Sequence, residues 1–448
     1  EVLKIPSGVA VVAEHAAAAL AGRAALNVSW SAGRKRALAS AAIHAGLHRA
    51  VRRRGTPGRR RGDVDRALAR AWLTLEAVYE TPYVAHAALE PMNCIAEVRP
   101  DGCDVWAPTQ AQTAAQAIAA GITGLPEKAV AVHTTFLGGG FGRRLETDYV
   151  ADAVTLSKRL RAPVQIVWTR ADDMRHDFYR PAGIALLRGG LDERRRPIAW
   201  FCRVAGPELA LEGIDMRYAI PHVREETVLA DPGVPTGYWR SVGASQNAFA
   251  IESFVDELAH EAGEDPLAFR RGLLAREPRA LAALDLAAGK AGWGAPLPQG
   301  KGRGVALYRS FGSWVAQVAE VAVSAKGATR VERVVAAIDC GIAVNPEAVR
   351  AQIEGAVAFG LSAALKERIT IARGGVRERT FEDYPLLTMA EMPEVEVHIV
   401  ASDASPGGVG EPGVPPVAPA VANAVFAASG RRIRTLPLRS GGGGRAGA

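Results

Sequence analysis

Residues 128–168 read KAVAVHTTFLGGGFGRRLETDYVADAVTLSKRLRAPVQIVW. The opening KAVAVHTTFL alternates apolar and polar residues as a strand does. Four glycines then fall within five residues, at 138, 139, 140 and 142. Beyond them Leu145, Tyr149, Ala153, Val154 and Leu160 recur at helical spacing, and APVQIVW is a further strand. Glycines between a strand and a helix form the βαβ-like setting in which bare backbone N–H groups hold an anion, most often phosphate. Arg143 and Arg144, directly behind, strengthen that reading. Neither common nucleotide template fits, however: GxGxxG counted from Gly138 ends on Arg143, and no GK[ST] follows. On these residues alone a packing or turn role explains the cluster equally well.

Outward from this segment the chain alternates strands and helices. EVLKIPSGVAVVAEHAAAALAGR reads as strand, turn, strand and helix, so the chain opens inside a sheet. IAEVRPDGCDVWAP reads as a hairpin about Asp101–Gly102 and AQTAAQAIAAGITG as a helix closed by glycine. RSVGASQNAFAIESFVDELAHEAGEDPLAFRRGLL is two helices broken near Gly263–Pro266, followed by a poorly patterned connector to about Gly300. In the last third RVERVVAAIDCG is a buried strand, and Asn345–Pro346 supplies a cap and a first-turn proline for the helix that follows. VEVHIV is another strand, and SPGGVGEPGVPPVAP leads into a helix stopped by Gly430.

The 448 residues allow roughly two to four domains. A hydrophobic content of 48% with 23% charged residues is that of a globular chain, and no apolar run approaches the roughly 18 residues of a membrane span. Cys94, Cys103, Cys202 and Cys340 are scattered, without a CxxC pair, which argues against a zinc or cysteine-ligated iron–sulfur site within the chain. The net charge of +7 is local: ten Lys/Arg and no Asp/Glu lie between Arg34 and Arg61, leaving +7 − 10 = −3 elsewhere. That stretch lacks aromatics to stack on bases, so it reads as a solvated surface linker rather than a polyanion site.

The histidines carry little. His44 and His48 are four apart on a helix but lack the glutamate of HExxH, and His86 and His133 read as structural. No metal-ligating set is expected. Glu411, in GGVGEPGVPP, is the acid of most interest. Glycines there let a ligand approach, prolines stiffen the loop, and a carboxylate without obvious basic partners can serve as a base; an exposed loop glutamate is the plainer alternative.

Six stretches in order, namely LGGGFGRR, EPMN with WAPTQ, GYWRSVGASQNAF, DCGIAVNPEAVRAQIEGAVAFG, DYPLL with EMPEVEVHIV, and GVGEPGVPPVAPAVANAVFAASGRRIR, carry a resemblance covering Glu1 to about Leu438. Together they resemble the molybdopterin-binding large subunit of the xanthine dehydrogenase/aldehyde oxidoreductase family, in the style of the isoquinoline 1-oxidoreductase beta subunit. The resemblance implies an α+β fold of mixed-sheet molybdopterin-binding domains with the N-terminal part missing, since neither the EMGQG segment nor the export signal of many members is present. It implies five segments: 1–33, the end of a small hammerhead-like α/β domain; 34–66, the basic linker; 67–300 and 301–438, two molybdopterin-binding domains; and 439–448, a disordered tail.

The same resemblance implies site roles. Glu411 matches the catalytic glutamate that takes a proton as water-derived oxygen attacks an electron-poor carbon. Gly139, Gly140, Phe141, Gly142 and Arg143 match the loop at the cofactor, with Phe141 and its neighbours against the metal end of a pterin rather than around a phosphate. Gln110 matches a glutamine bonded near the metal's oxygen, and Arg240 and Gln352 match pterin-contacting or pocket positions. The implied cofactor is molybdopterin cytosine dinucleotide carrying molybdenum, which needs no protein ligand for the metal. Iron–sulfur clusters are implied on a small [2Fe–2S] partner subunit, with a further acceptor such as a cytochrome. The implied substrate is an N-heterocycle or aldehyde. Tyr238, Trp239 and Val242 depart from the Phe-rich stretch of the purine-oxidising relatives, which counts against xanthine. Neither nucleic acid nor a membrane is expected as a partner. The family implies a periplasmic location, with a cytoplasmic one open because this chain carries no signal. The rival readings are a cofactor-free subunit or docking scaffold without activity, and a polyanion binder acting through residues 34–61.

Overall fold

The computed structural model describes residues 1–31, 33–214 and 216–438. The tail expected to be disordered, 439–448, lies outside the described residues. The chain forms two compact units, each discontinuous in sequence. One comprises Glu1–Ala39, His86–Phe178 and Thr370–Thr380; the other comprises Ser40–Ala85, Tyr179–Ile369 and the chain from Phe381 on.

The first unit is built on a four-stranded mixed sheet in the order Val130–Thr134, Cys103–Ala107, Asn93–Val98, Val164–Val167, with only the first pair parallel. Period-two alternation turns Cys94, Ala96, Cys103, Val105 and Ala107 to the core. Helices Gln112–Thr123 and Asp148–Leu160 cover that face with Ala115, Ala119, Tyr149, Val150, Ala153 and Val154. The helical spacing read from the sequence is therefore the packed face of Asp148–Leu160. The expected N-terminal strands pair as a hairpin, Val2–Ile5 with Gly8–Val11, and Leu3 and Ile5 pack on Leu156 and Val164.

The second unit holds two sheets around one core. Five strands run in the order Thr56–Arg61, His222–Leu229, Pro197–Gly206, Gly183–Leu191, Leu73–Thr81. Four more run Lys301–Ser310, Ser313–Val323, Thr329–Asp339, Glu394–Ile399. Helix Ala244–Ala262 is buried along almost its whole length, and helix Val417–Ser429 lies hard against Lys301–Ser310. A Cβ on Gly304 would meet the Ala424 nitrogen at 2.1 Å, so only glycine permits this approach. Asn345 caps helix Pro346–Leu365 by accepting from the Ala348 N–H, and Gly430 ends the last helix in the left-handed conformation.

Two expectations are corrected. The basic stretch is no linker: Ser40–Val51 is a helix and Thr56–Arg61 an edge strand paired antiparallel with His222–Leu229. Ile43, Leu47, Ala50 and Val51 form the buried face of that helix, an apolar pattern outweighed in the sequence by the arginines around it. Arg61 donates to the Ile220 and Pro221 carbonyls and Arg59 to that of Met216, so part of the charge run is tied into the sheet. The poorly patterned connector contains helix Pro278–Lys290, seated through Ala280, Ala283, Leu284, Ala287 and Ala288. Small alanines bury well but give a weak periodic signal.

Candidate functional site

In the first unit the glycine cluster makes a sharp left-handed turn, with φ of 94° at Gly139, 56° at Phe141 and 108° at Gly142. The bare backbone is filled mainly by the protein itself. A Cβ would meet Glu90 Cβ at 2.5 Å on Gly138, the Phe141 ring at 2.9 Å on Gly139 and Gln110 Oε1 at 2.5 Å on Gly140. Gln110 Oε1 accepts from the Gly142 N–H at 3.2 Å, while the Gln110 N–H donates to the Arg144 carbonyl at 3.0 Å. No described residue takes the Gln110 Nε2 hydrogens, and this side chain is exposed.

The two arginines point inward. Arg143 is 1% exposed and binds Asp148 in a fork at 2.9 and 2.7 Å, with Nε 3.2 Å from Asp177. Arg144 is 0% exposed, ion-paired to Glu90 at 2.7 Å and donating to the Gly139 carbonyl at 2.7 Å. Burial disfavours both charges; Asp148, Asp177 and Asp173 more than offset this for Arg143, whose pKa is raised, whereas that of Arg144 is lowered. Arg143, expected at the cofactor, has its guanidinium turned to brace the glycine turn from behind, held by the part-exposed Asp148 and the buried Asp177. Asp177 also binds His86, through the His86 N–H at 2.7 Å and Nδ1 at 2.9 Å, so His86 is structural. Asp173, buried beside Asp177, has its carboxyl pushed up to about 6.

In the second unit the loop 405–414 carries Glu411. The Gly407 and Gly408 N–H groups donate to the Cys340 and Phe311 carbonyls at 2.8 and 2.7 Å. Ser313 Oγ donates to the Gly408 carbonyl at 2.6 Å, and Gln317 Nε2 to that of Gly413 at 2.8 Å. Arg240 Nε donates to the Gly410 carbonyl at 2.7 Å, and its Nη2 reaches both Gln352 oxygens at 3.1 Å. Ser241 N–H donates to Glu411 Oε1 at 3.0 Å, and Ser241 Oγ to the Glu411 carbonyl at 2.7 Å. Glu411 is half-buried, and its Oε2 has no partner among the described residues. Burial lowers the Arg240 pKa and the Glu411 charge opposes this. The structure therefore brings Arg240, Gln352 and Glu411 together, and separately Gln110 with Gly140 and Gly142.

Behind Arg240 sits a buried support. Trp239 stacks on Phe359 with centroids 4.5 Å apart, donates Nε1–H to the Ala85 carbonyl at 3.2 Å and lies under the Arg180 guanidinium at 4.9 Å. Tyr384 OH accepts from the Ala85 N–H at 2.8 Å and binds Glu367 at 2.9 Å. Burial pushes the Glu367 carboxyl up to about 7. Ser241, Ser313, Gln317 and this support went unread in the sequence. Each is an ordinary polar or aromatic residue whose partner lies far along the chain, so no local pattern marks it. His44 and His48 both face Glu80, at 3.1 and 2.9 Å. Among the described residues no group of three or more His, Cys, Asp or Glu is arranged to hold a metal ion.

The second unit's donors fit an oxygen-rich anionic group such as a pterin: among the described residues Arg240 Nη1 and Gln352 Nε2 are unused donors, and Glu411 Oε2 beside them is an unused acceptor. In the first unit, taken by itself, Gln110 Nε2 is a donor that no described residue uses. A cofactor that brings its own sulfur ligands for its metal asks no more of the chain.

Comparison with known proteins agrees. Models described as molybdopterin cofactor-binding domain match residues 47–205, 200–273 and 274–393. The chain is 31% identical to the isoquinoline 1-oxidoreductase subunit beta of Brevundimonas diminuta, over 98% of this chain and 60% of that protein. It is also 31% identical to the membrane-bound aldehyde dehydrogenase [pyrroloquinoline-quinone] of Gluconacetobacter polyoxogenes, over 84% of this chain and 54% of that one. The fold matches quinoline 2-oxidoreductase from Pseudomonas putida 86 with a TM-score of 0.76 at 16% identity, covering 86% of this chain and 78% of the other. The chain thus spans a little over half the length of the curated relatives it matches. With these models matched from residue 47 to residue 393, the chain belongs to the molybdopterin cofactor-binding domain family.

Proposed function

We propose that this chain serves in the large subunit of a molybdenum hydroxylase that oxidises an N-heterocycle or an aldehyde by inserting water-derived oxygen. The observation that carries the reading is the Glu411 carboxylate, held at Oε1 by the Ser241 N–H with Oε2 unengaged among the described residues. When bound, the molybdenum cofactor, in its cytosine dinucleotide form, supplies two-electron oxidation. Glu411 Oε2 takes the proton released as the oxygen nucleophile attacks the electron-poor carbon, a general-base role that a half-buried carboxylate on a pinned loop can fill. Arg240 and Gln352 orient the cofactor from the second unit; in the first unit, the exposed Gln110 amide has hydrogens to offer an oxygen-rich group. Arg240 also holds the Gly410 carbonyl, so one guanidinium sets the loop beside the base. Electrons leave to a small [2Fe–2S] subunit and then to a further acceptor, in a periplasmic setting.

The test is metal and pterin content of the chain co-produced with its iron–sulfur partner and the cofactor machinery, followed by turnover on isoquinoline and benzaldehyde. Near-stoichiometric molybdenum and turnover that disappears in Glu411→Gln are expected. Molybdenum below a tenth per chain would instead favour a scaffold.

A further inference from the structure

Ser241 and Val242, two consecutive residues other than glycine, have φ of 77° and 48°. Left-handed backbone costs an L-residue roughly 1–2 kcal/mol, and such strain persists only where the surroundings over-determine it. Here they do. Ser241 is 1% exposed. On one side Arg240 is anchored to the Gly410 carbonyl; on the other, the Val242 N–H donates to the Trp239 carbonyl at 2.6 Å and Ser245 Oγ donates to the Val242 carbonyl at 2.7 Å. Directly behind begins helix Ala244–Ala262, whose preceding Gly243 has no room for a Cβ: one would meet the Glu212 carbonyl oxygen at 2.4 Å.

The reversed backbone turns the chain sharply enough for one residue to grip Glu411 twice. Its N–H reaches the carboxylate and its hydroxyl reaches the main-chain carbonyl. We propose that Ser241 is the positioning residue of Glu411, its strained backbone and its hydroxyl together fixing the carboxylate so that Oε2 is presented in one orientation. The proposal rests on the reading of Glu411 as base. The strain and the hydroxyl make separable contributions. Glycine at 241 accepts the left-handed φ without cost and keeps the N–H but loses the hydroxyl. Alanine loses the hydroxyl and keeps the strain.

A positioning role sets stability and turnover moving apart. Ser241→Gly offsets the lost hydroxyl bond with relieved strain and unfolds near the wild-type temperature, whereas Ser241→Ala, which keeps the strain, unfolds lower. In both, amide exchange over residues 407–414 of the cofactor-free chain accelerates about tenfold, the loss of roughly one buried hydrogen bond, while exchange over 244–262 is unchanged. In the molybdenum-loaded enzyme, on whichever of isoquinoline and benzaldehyde it oxidises, kcat per bound molybdenum falls about 10- to 100-fold, most in the flexible Ser241→Gly, with KM within about twofold. Wild-type exchange over 407–414 in both variants overturns the proposal. So does acceleration spreading through 244–262 with kcat falling only in step with stability, which is the mark of a purely structural residue. Turnover that survives Glu411→Gln overturns the base assignment instead, and the exchange measurement still decides whether Ser241 holds the loop.

Discussion

Two glycine-rich segments of similar composition handle charge differently. In the turn at 138–142 charge is answered from within: Arg143 by Asp148 and Asp177, Arg144 by Glu90, and the space over Gly138, Gly139 and Gly140 by Glu90, Phe141 and Gln110. In the loop at 405–414 the bonds come from other elements, and they fall on backbone carbonyls and on one oxygen of one carboxylate. The first segment uses glycine to let the chain pack against itself. The second uses it to bring an acid to the surface of a rigid frame. A glycine cluster is therefore weak evidence for a ligand until its neighbours' donors and acceptors have been counted.

The comparison breaks most readily at Glu411. Glu411→Gln should lower kcat by roughly 10²–10⁴-fold with molybdenum content unchanged, because the amide keeps the shape but cannot take a proton. Steady-state kinetics beside metal analysis checks it. Arg143→Ala, by contrast, should cost about 1.5–3 kcal/mol in stability by urea unfolding, since it takes the fork partner from Asp148 and leaves the buried Asp177 with His86 as its remaining ion-pair partner.

The support behind the second loop has its own signature in pH. The folded Glu367 carboxyl is raised to about 7 by burial, above its unfolded value of 4.5. Between those values the unfolded chain has released the proton and the folded chain still holds it, so stability falls as pH rises through about 4.5–7. Glu367→Gln should remove roughly 3 kcal/mol of that decline, visible as a flatter profile of unfolding free energy against pH. The smallest effect is expected at Gly140→Ala. Its Cβ meets only the mobile end of Gln110, so the stability loss should stay below about 1 kcal/mol. Retention of the cofactor should weaken measurably on gel filtration as Gln110 is displaced.

Much of the frame was legible before the structure. Period-two alternation in 130–134 and 103–107, the Asn345–Pro346 cap and the stop at Gly430 each mark their elements through local chemistry. The helix under His44 and His48 was read only as part of a basic linker because ten basic residues masked its four-residue apolar face, and Pro278–Lys290 was missed because alanine packs without contrast. Glu411, Arg240 and Gln352 were singled out through the ordered motifs of the resemblance, and the structure sets them beside one another. For Arg143, sequence spacing shows an arginine behind glycines and not the Asp177 that pairs with it. The backbone of Ser241 and Val242 could not be read at all. Nothing in RSVG announces a left-handed backbone at residues that ordinarily avoid it.

The edge strand Thr56–Arg61 has a consequence for the chain's life in concentrated solution. An outermost strand offers unpaired amides to any other strand that drifts alongside, and this is how sheets of different molecules fuse. Here that border carries Pro57, which has no amide to lend, and then Arg59, Arg60 and Arg61 in succession. A second copy approaching in register would set arginine against arginine. The end of the basic run thus lines an edge that is poorly suited to pairing with a second copy.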